Sequence, residues 1–207
     1  MTFTRFGSYL VVAAAALLVA GCGSESESDS ASSADGGSTP SHCAQGSGEY
    51  FSANRESGEP EFSVPKIQGW TQLTDLDSAT IRLTVADPSL TVEGFTSNAV
   101  VLVGTSAVSG EAEFDREIAS LKKIAVADSV SRQPSSTTCG YPSVLIDYRM
   151  KASTQEPMIT SVTTLLVSVP GRPTSTTATL TLQSADPDDP SYISAKQAII
   201  DGFRVTQ

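Results

Sequence analysis

The stretch ITSVTTLLVSVPGRPTSTTATLTL, residues 159–182, decides the fold class of this chain. Residues 159–169 and 176–182 are rich in β-branched side chains, which favour strands. Pro170-Gly171 lies between them and suits a tight turn in which the glycine takes a positive φ. The stretch therefore predicts an antiparallel β-hairpin.

Other segments upstream of this hairpin also have strand patterns. Residues 62–65, 81–85 and 144–150 alternate apolar and polar side chains, as half-buried strands do. Asp87-Pro88 is expected to end the second of these strands. Residues 99–103 are a continuous apolar run, which is typical of a central strand covered on both faces.

Two segments have helical patterns. Residues 109–128 place Phe114, Ile118, Leu121 and Ala125 in one stripe, with Glu111 and Glu113 in the first turn and Lys122-Lys123 near the end, as the helix dipole favours. Residues 191–201 follow Asp189-Pro190, a favourable helix start, and precede Gly202. We expect this last helix to turn Tyr192, Ile193, Ile199 and Ile200 inward. Phe203 and Val205 can add a short final strand. The predicted fold class is α+β, an antiparallel sheet of about five to seven strands with two main helices packed on it.

The N-terminal residues have the pattern of an export signal. Arg5 is followed by an uncharged apolar run that ends at Leu17-Leu18-Val19-Ala20-Gly21-Cys22. Val19-Ala20-Gly21-Cys22 resembles a bacterial lipobox, in which the Cys22 thiol is acylated and becomes the mature N-terminus. Ordinary secretion with cleavage near Ala20 or Gly21 is the alternative. Two acyl chains on Cys22 would hold the protein stably on the extracytoplasmic face of the cell membrane.

The chain divides into three parts on this interpretation. Residues 1–21 are a lipoprotein signal peptide, and residues 22–41 are the lipidated cysteine with a disordered linker rich in Ser, Gly and acidic residues. Residues 42–207 are a single globular domain, long enough to have its own core. The formal net charge of −10 argues against nucleic acid as a partner, and against adhesion to anionic lipid by charge.

Three cysteines are present, and lipidation of Cys22 leaves Cys43 and Cys139. An oxidising compartment outside the membrane favours a disulfide between them. Two free buried thiols are the alternative.

The sequence contains no clear catalytic set. His42 is the single histidine and lies at the end of the linker, where it is poorly placed to act as a rigidly held base. Asp147 is the carboxylate to consider for a hydrolase, but Arg149 shares its strand face and favours an ion pair or a solvated surface. Asp186, Asp188 and Asp189 lack the pattern of a calcium loop and suit a helix start better. We therefore expect no catalytic activity, no metal and no cofactor.

Trp70 is the only tryptophan and follows Gly69. It either fills an edge of the core or lines a cleft between sheet and helix that admits an acyl or sugar chain. The sequence leaves both positions open.

Several segments resemble the LpqN/LpqT-type lipoproteins of mycobacteria. They are Val64-Pro65 with Gly69-Trp70, Ala86-Asp87-Pro88, and the closing hairpin with its Ala-containing helix. The resemblance implies a fold of the Mog1/PsbP type, an α/β/α sandwich around an antiparallel sheet. It also implies a non-enzymatic, membrane-anchored protein that binds envelope proteins or glycolipids. The pair Cys43 and Cys139 departs from the family pattern. A lipid carrier with an internal apolar cavity and a carboxylate-based hydrolase remain as alternatives.

Overall fold

The computed structural model describes Cys43, residues 48–151 and residues 158–207. The predictions for the signal peptide, Cys22, the linker and His42 lie outside the described residues. The strands are β1 Tyr50–Ser52, β2 Glu61–Pro65, β3 Thr71–Gln72, β4 Ile81–Val92, β5 Phe95–Ser106, β6 Ser131–Arg132, β7 Ser136–Thr138, β8 Tyr141–Lys151, β9 Ile159–Val169, β10 Ser175–Ser184 and β11 Arg204–Thr206. The helices are α1 Glu111–Ile124 and α2 Pro190–Gly202, with a short 3₁₀ turn at Thr74–Leu76.

The strands form two antiparallel sheets in the described part of the chain. The large sheet has eight strands in the order β3-β4-β5-β10-β9-β8-β6, with β7 also paired to β8, and the small sheet has the order β1-β2-β11. The α+β class is confirmed, but there are more strands than the expected five to seven. The additional strands β1, β3, β6 and β7 have only two or three residues each, too few to show a period in the sequence.

The predicted hairpin is the centre of the large sheet, but its strands are joined by a five-residue loop, 170–174, in which Gly171 does not have the expected positive φ. β9 pairs with β10 along its length, from Val169 opposite Thr176 to Ser161 opposite Ser184. The other edge of β10 pairs with β5. In the sheet order β5 lies between β4 and β10, and Ala99, Val100, Val101 and Val103 are buried, as predicted for a central strand covered on both faces.

The prediction that Asp87-Pro88 ends a strand is wrong. β4 continues to Val92, and its register with β5 shifts between Ala86 and Thr91. A bulge of this kind accommodates a proline that cannot donate a ladder hydrogen bond. Glu93 and Gly94, with φ of 49° and 83°, then form the tight turn into β5.

Alternating residues of the large sheet belong to two separate cores. On β9, Leu165 and Val167 face a main core shared with α2 and the small sheet, whereas Val162 and Leu166 face α1. The two helices thus pack on opposite faces of the sheet, which is the predicted sandwich. We call the cluster under α1 the α1 core; its buried members are Phe114, Ile118, Val144, Ile146, Tyr148, Met150, Val162 and Leu166.

Both helices begin and end within four residues of the predicted bounds. Asp189 is the N-cap of α2, and its Oδ1 accepts hydrogen bonds from the backbone N–H groups of Ser191 and Tyr192 at 2.7 and 3.1 Å. Tyr192 and Ile199 are buried as predicted, but Ile193 is 46% exposed, which corrects its predicted inward position. In the described part of the chain, no helix combines the length and apolar character that crossing a bilayer requires.

Candidate functional site

A cleft of about 490 Å³ lies beside the disulfide, where the β7–β8 hairpin meets the end of α2 and the small sheet. We call it the disulfide cleft. Its apolar surface comes from Leu145, Leu165, Ile200 and Phe203, and Ser136, Thr137 and Thr138 contribute hydroxyl groups. Tyr50, Asp201, Gly202, Arg204 and the two bridged cysteines complete the lining. A size and composition of this kind suit a small ligand or a partner side chain.

The disulfide joins Cys43 to Cys139, as the cysteine count predicted. Cys139 and Gly140 are the two central residues of the β7–β8 turn, with φ of 52° and 81°. Such a turn favours residues that tolerate positive φ. The backbone N–H of Val205 in β11 lies 3.4 Å from each sulfur. The bridge therefore holds the start of the domain against the outer edge of its last strand.

The close approach of α2 to β2 positions the apolar side of the cleft. A Cβ atom at Gly202 would lie 2.7 Å from Cγ of Pro65, so glycine is required for this contact. Directly after it, the Phe203 ring stacks on Phe62 with centroids 6.1 Å apart. This packing fixes Ile200 and Phe203 beside the disulfide.

A cation and an aromatic ring lie at the rim of the cleft. The Arg204 guanidinium carbon is 3.8 Å from the centroid of the Tyr50 ring, which is within the range of a cation–π contact. The contact links β11 to β1 across the small sheet. The cleft thus combines an apolar surface with hydroxyl groups, the Arg204 guanidinium and the Asp201 carboxylate.

A second cleft, of about 570 Å³, is formed by residues 55–60 and Gln207. Arg82 holds this loop through Glu56 at 3.3 Å and Glu59 at 3.1 Å. Its lining has no large apolar side chain, and one loop supplies nearly all of it. The disulfide cleft is the better candidate because several elements fix its shape and it offers apolar surface.

Trp70 does not line either of these two clefts. It belongs to the main core and is 5% exposed. Its position corresponds to the core alternative rather than to a ligand-lining one.

Asp147 faces the α2 side of the sheet. Its Oδ1 accepts a 2.6 Å hydrogen bond from the Thr163 hydroxyl, and the described residues include no ion pair between Asp147 and Arg149. Burial, and secondarily the charge of Asp147, raises the pKa of the Tyr192 phenol. On the other face of the sheet, burial raises the pKa of Glu113 and Glu117 on α1, whereas the Ser135 hydroxyl and Arg132 lower the pKa of Glu111 on the same helix. The sheet therefore separates Asp147 from them.

The aspartates before α2 cap the helix and its preceding turn. Besides the Asp189 cap, Asp186 Oδ1 accepts a hydrogen bond from the N–H of Asp188 at 3.3 Å. No group of three or more His, Cys, Asp or Glu side chains in the described residues is arranged to hold a metal ion.

Sequence reasoning missed the disulfide cleft, although it named both cysteines. The cleft combines residues near positions 43–50, 136–145, 165 and 200–204. The predicted bridge was the one signal that two of these segments meet.

Comparison with known proteins identifies the fold. The crystal structure of LpqN, involved in cell envelope biogenesis of Mycobacterium tuberculosis, superposes with a TM-score of 0.60 over 77% of this chain and 91% of that chain, at 11% sequence identity. The solution structure of cyanobacterial PsbP from Synechocystis has a TM-score of 0.43 at 13% identity, covering 84% of this chain and 98% of that one. No protein-family profile matches the chain. No curated protein matches it in sequence. The chain therefore shares the LpqN fold.

Proposed function

We propose that this chain is a non-enzymatic lipoprotein of the cell envelope that binds an envelope protein or glycolipid in the disulfide cleft. It would be held on the extracytoplasmic face of the membrane by acyl chains on Cys22. The observation that supports this most is the position of the cleft at Cys43, where the chain from the lipidated cysteine joins the fold.

The linker sets how far the cleft lies from the membrane. With the disordered linker that its composition predicts, residues 23–41 would span roughly 24 Å on average. Because the cleft adjoins the end of this linker, its mouth would stay near the membrane surface. Anchoring raises the effective concentration of the domain and its target on one surface, so a weak contact is sufficient.

The chemistry of the cleft suits an amphiphilic target. The apolar surface of Leu145, Ile200 and Phe203 can receive an acyl chain or an apolar side chain of a partner protein. The hydroxyl groups of residues 136–138 can bind hydroxyl or acidic groups. The described role of LpqN in cell envelope biogenesis supports an envelope function by analogy of fold.

The test is mass spectrometry of proteins and lipids recovered with a tagged ectodomain that starts after Cys22, incubated in an envelope extract. Ile200→Gln changes a residue that lines the cleft, and Ile193→Gln is the matched control because Ile193 lies on the same helix and is 46% exposed. We expect one or more partners or lipids that Ile193→Gln retains and Ile200→Gln loses by about tenfold.

Equal recovery by both folded variants would contradict binding in the disulfide cleft. Recovery of neither a protein nor a lipid by the unchanged ectodomain would contradict the proposed function itself.

A further inference from the structure

Glu113 is a buried carboxylate that forms no ion pair with any residue the structure describes. It lies in the first turn of α1 and is 3% exposed. Its Oε1 accepts a hydrogen bond from the Thr177 hydroxyl of β10, whereas its Oε2 is buried with no hydrogen-bond partner. An ionised carboxylate in such a position is costly unless it is paired.

The strands packed against Glu113 contribute hydroxyl groups near its carboxyl. Burial raises the pKa of Glu113, and the hydroxyls of Ser168 in β9 and Ser106 in β5 lower it by less. The charged groups that act on it are Glu117, one turn further along α1, and Arg116. Burial raises the pKa of Glu117 as well. Tyr148 is a further titratable side chain on the α1 face of the sheet, and burial raises the pKa of its phenol.

The same helix turn is part of the attachment of α1 to the sheet. The backbone N–H of Gly110, just before α1, donates to the Ser168 hydroxyl at 3.1 Å. The next residue after Glu113, Phe114, is 1% exposed and belongs to the α1 core. Docking of α1 and burial of the Glu113 carboxyl are therefore one event.

We propose that Glu113 makes α1 a pH-sensitive lid over the α1 core. The lid is held most tightly when the Glu113 carboxyl is protonated. It loosens when this carboxyl ionises, because the charge then gains hydration by leaving the sheet.

The sign follows from linkage. The pKa of the Glu113 carboxyl is higher when α1 is docked than when it is open. Protonation therefore stabilises the docked state, and this stabilisation is complete at pH values below the ordinary glutamate pKa of 4.5. That contribution is lost as the pH rises through the raised value of the docked state. For each unit by which the pKa differs between docked and open states, the opening constant changes by about tenfold.

The test is amide hydrogen exchange followed by mass spectrometry, with protection corrected for the intrinsic exchange rate at each pH. The folded domain is compared near pH 4.5 and at about pH 8. We expect peptides from α1 to lose protection at the higher pH by about tenfold, while the central strands β5 and β10 keep theirs. Glu113→Gln should keep α1 protected at both pH values, because the amide cannot ionise.

Glu111→Gln is the matched control on the same helix turn. Glu111 is exposed, and the hydroxyl of Ser135 and the guanidinium of Arg132 lower the pKa of its carboxyl. Ionisation of Glu111 therefore favours the docked position of α1, which is the opposite of the effect proposed for Glu113. In Glu111→Gln, α1 should therefore still lose protection at the higher pH, as it does in the unchanged domain. Equal α1 protection of the unchanged domain at both pH values, or an unchanged loss in Glu113→Gln, would overturn the proposal.

Discussion

Gly69 lies two residues before β3, the edge strand of the large sheet, and packs closely against Asp87 of β4. Its φ is +89°, and a Cβ atom there would lie 2.5 Å from Oδ2 of Asp87. Asp87 cannot move away freely, since its Oδ1 accepts hydrogen bonds from the N–H and the hydroxyl of Ser89 at 2.9 and 2.7 Å. Glycine is thus required both by the backbone conformation and by the space, directly before the buried Trp70.

Replacing Gly69 by alanine should destabilise the domain more than the same change at Gly58. Gly58 also has a positive φ, +85°, but a Cβ atom there would meet nothing within 4 Å beyond its chain neighbours. We expect Gly58→Ala to cost about 1 kcal/mol and Gly69→Ala about 2–3 kcal/mol. Urea unfolding followed by the fluorescence of Trp70, the single tryptophan, measures both. Equal losses would show that the contact with Asp87 relaxes without cost.

Residue-level predictions succeed where the cause is local. The position of Asp189 before Pro190 predicts a helix start, and Asp189 caps α2. The inward prediction for Ile193 rests on its apolar side chain alone, whereas Ile199 and Tyr192 fill the buried side. The direction of a side chain depends on what the helix packs against, which its own sequence does not contain.

At the scale of elements, the helices and long strands follow from period and turn residues. β4 is the exception, since Pro88 normally ends a strand and here is accommodated by a register shift. The Glu93-Gly94 turn that follows is not predictable from a strand that ends at Pro88. The short strands β3, β6 and β7 exist through pairing with longer neighbours rather than through a pattern of their own.

The disulfide joins the residue where the described part of the chain begins to the turn between β7 and β8. It links residues 96 apart in sequence and lies against the edge of β11. Replacing both Cys43 and Cys139 by serine should lower the free energy of unfolding by about 2–5 kcal/mol, because a large loop in the unfolded chain is then open. Amide exchange at β11 should increase at the same time.

Reductant provides the control for this prediction. It should destabilise the unchanged domain by a similar amount and leave the double serine variant unaffected. A loss below about 0.5 kcal/mol in urea unfolding would contradict a stabilising role for the bridge.

At the scale of the whole molecule, the layers are predictable and the site is not. Two helices and an antiparallel sheet follow from the sequence, because each face must be covered. The disulfide cleft depends on how the small sheet, α2 and the β7–β8 turn meet, and its parts lie far apart in the chain. Only the pairing of Cys43 with Cys139 carries information about that meeting.

The proposed acyl anchor on Cys22 would connect this fold to its proposed function, since a binding domain of the envelope needs to stay at the membrane. Mass spectrometry of the mature N-terminus, from protein extracted out of the membrane fraction, tests this most directly. We predict that the first residue is Cys22 and that it carries acyl chains, and that Cys22→Ala releases the protein from the membrane. A protein found in the cytosol with residues 1–21 intact and no fatty acid attached would contradict membrane anchoring and the function proposed from it.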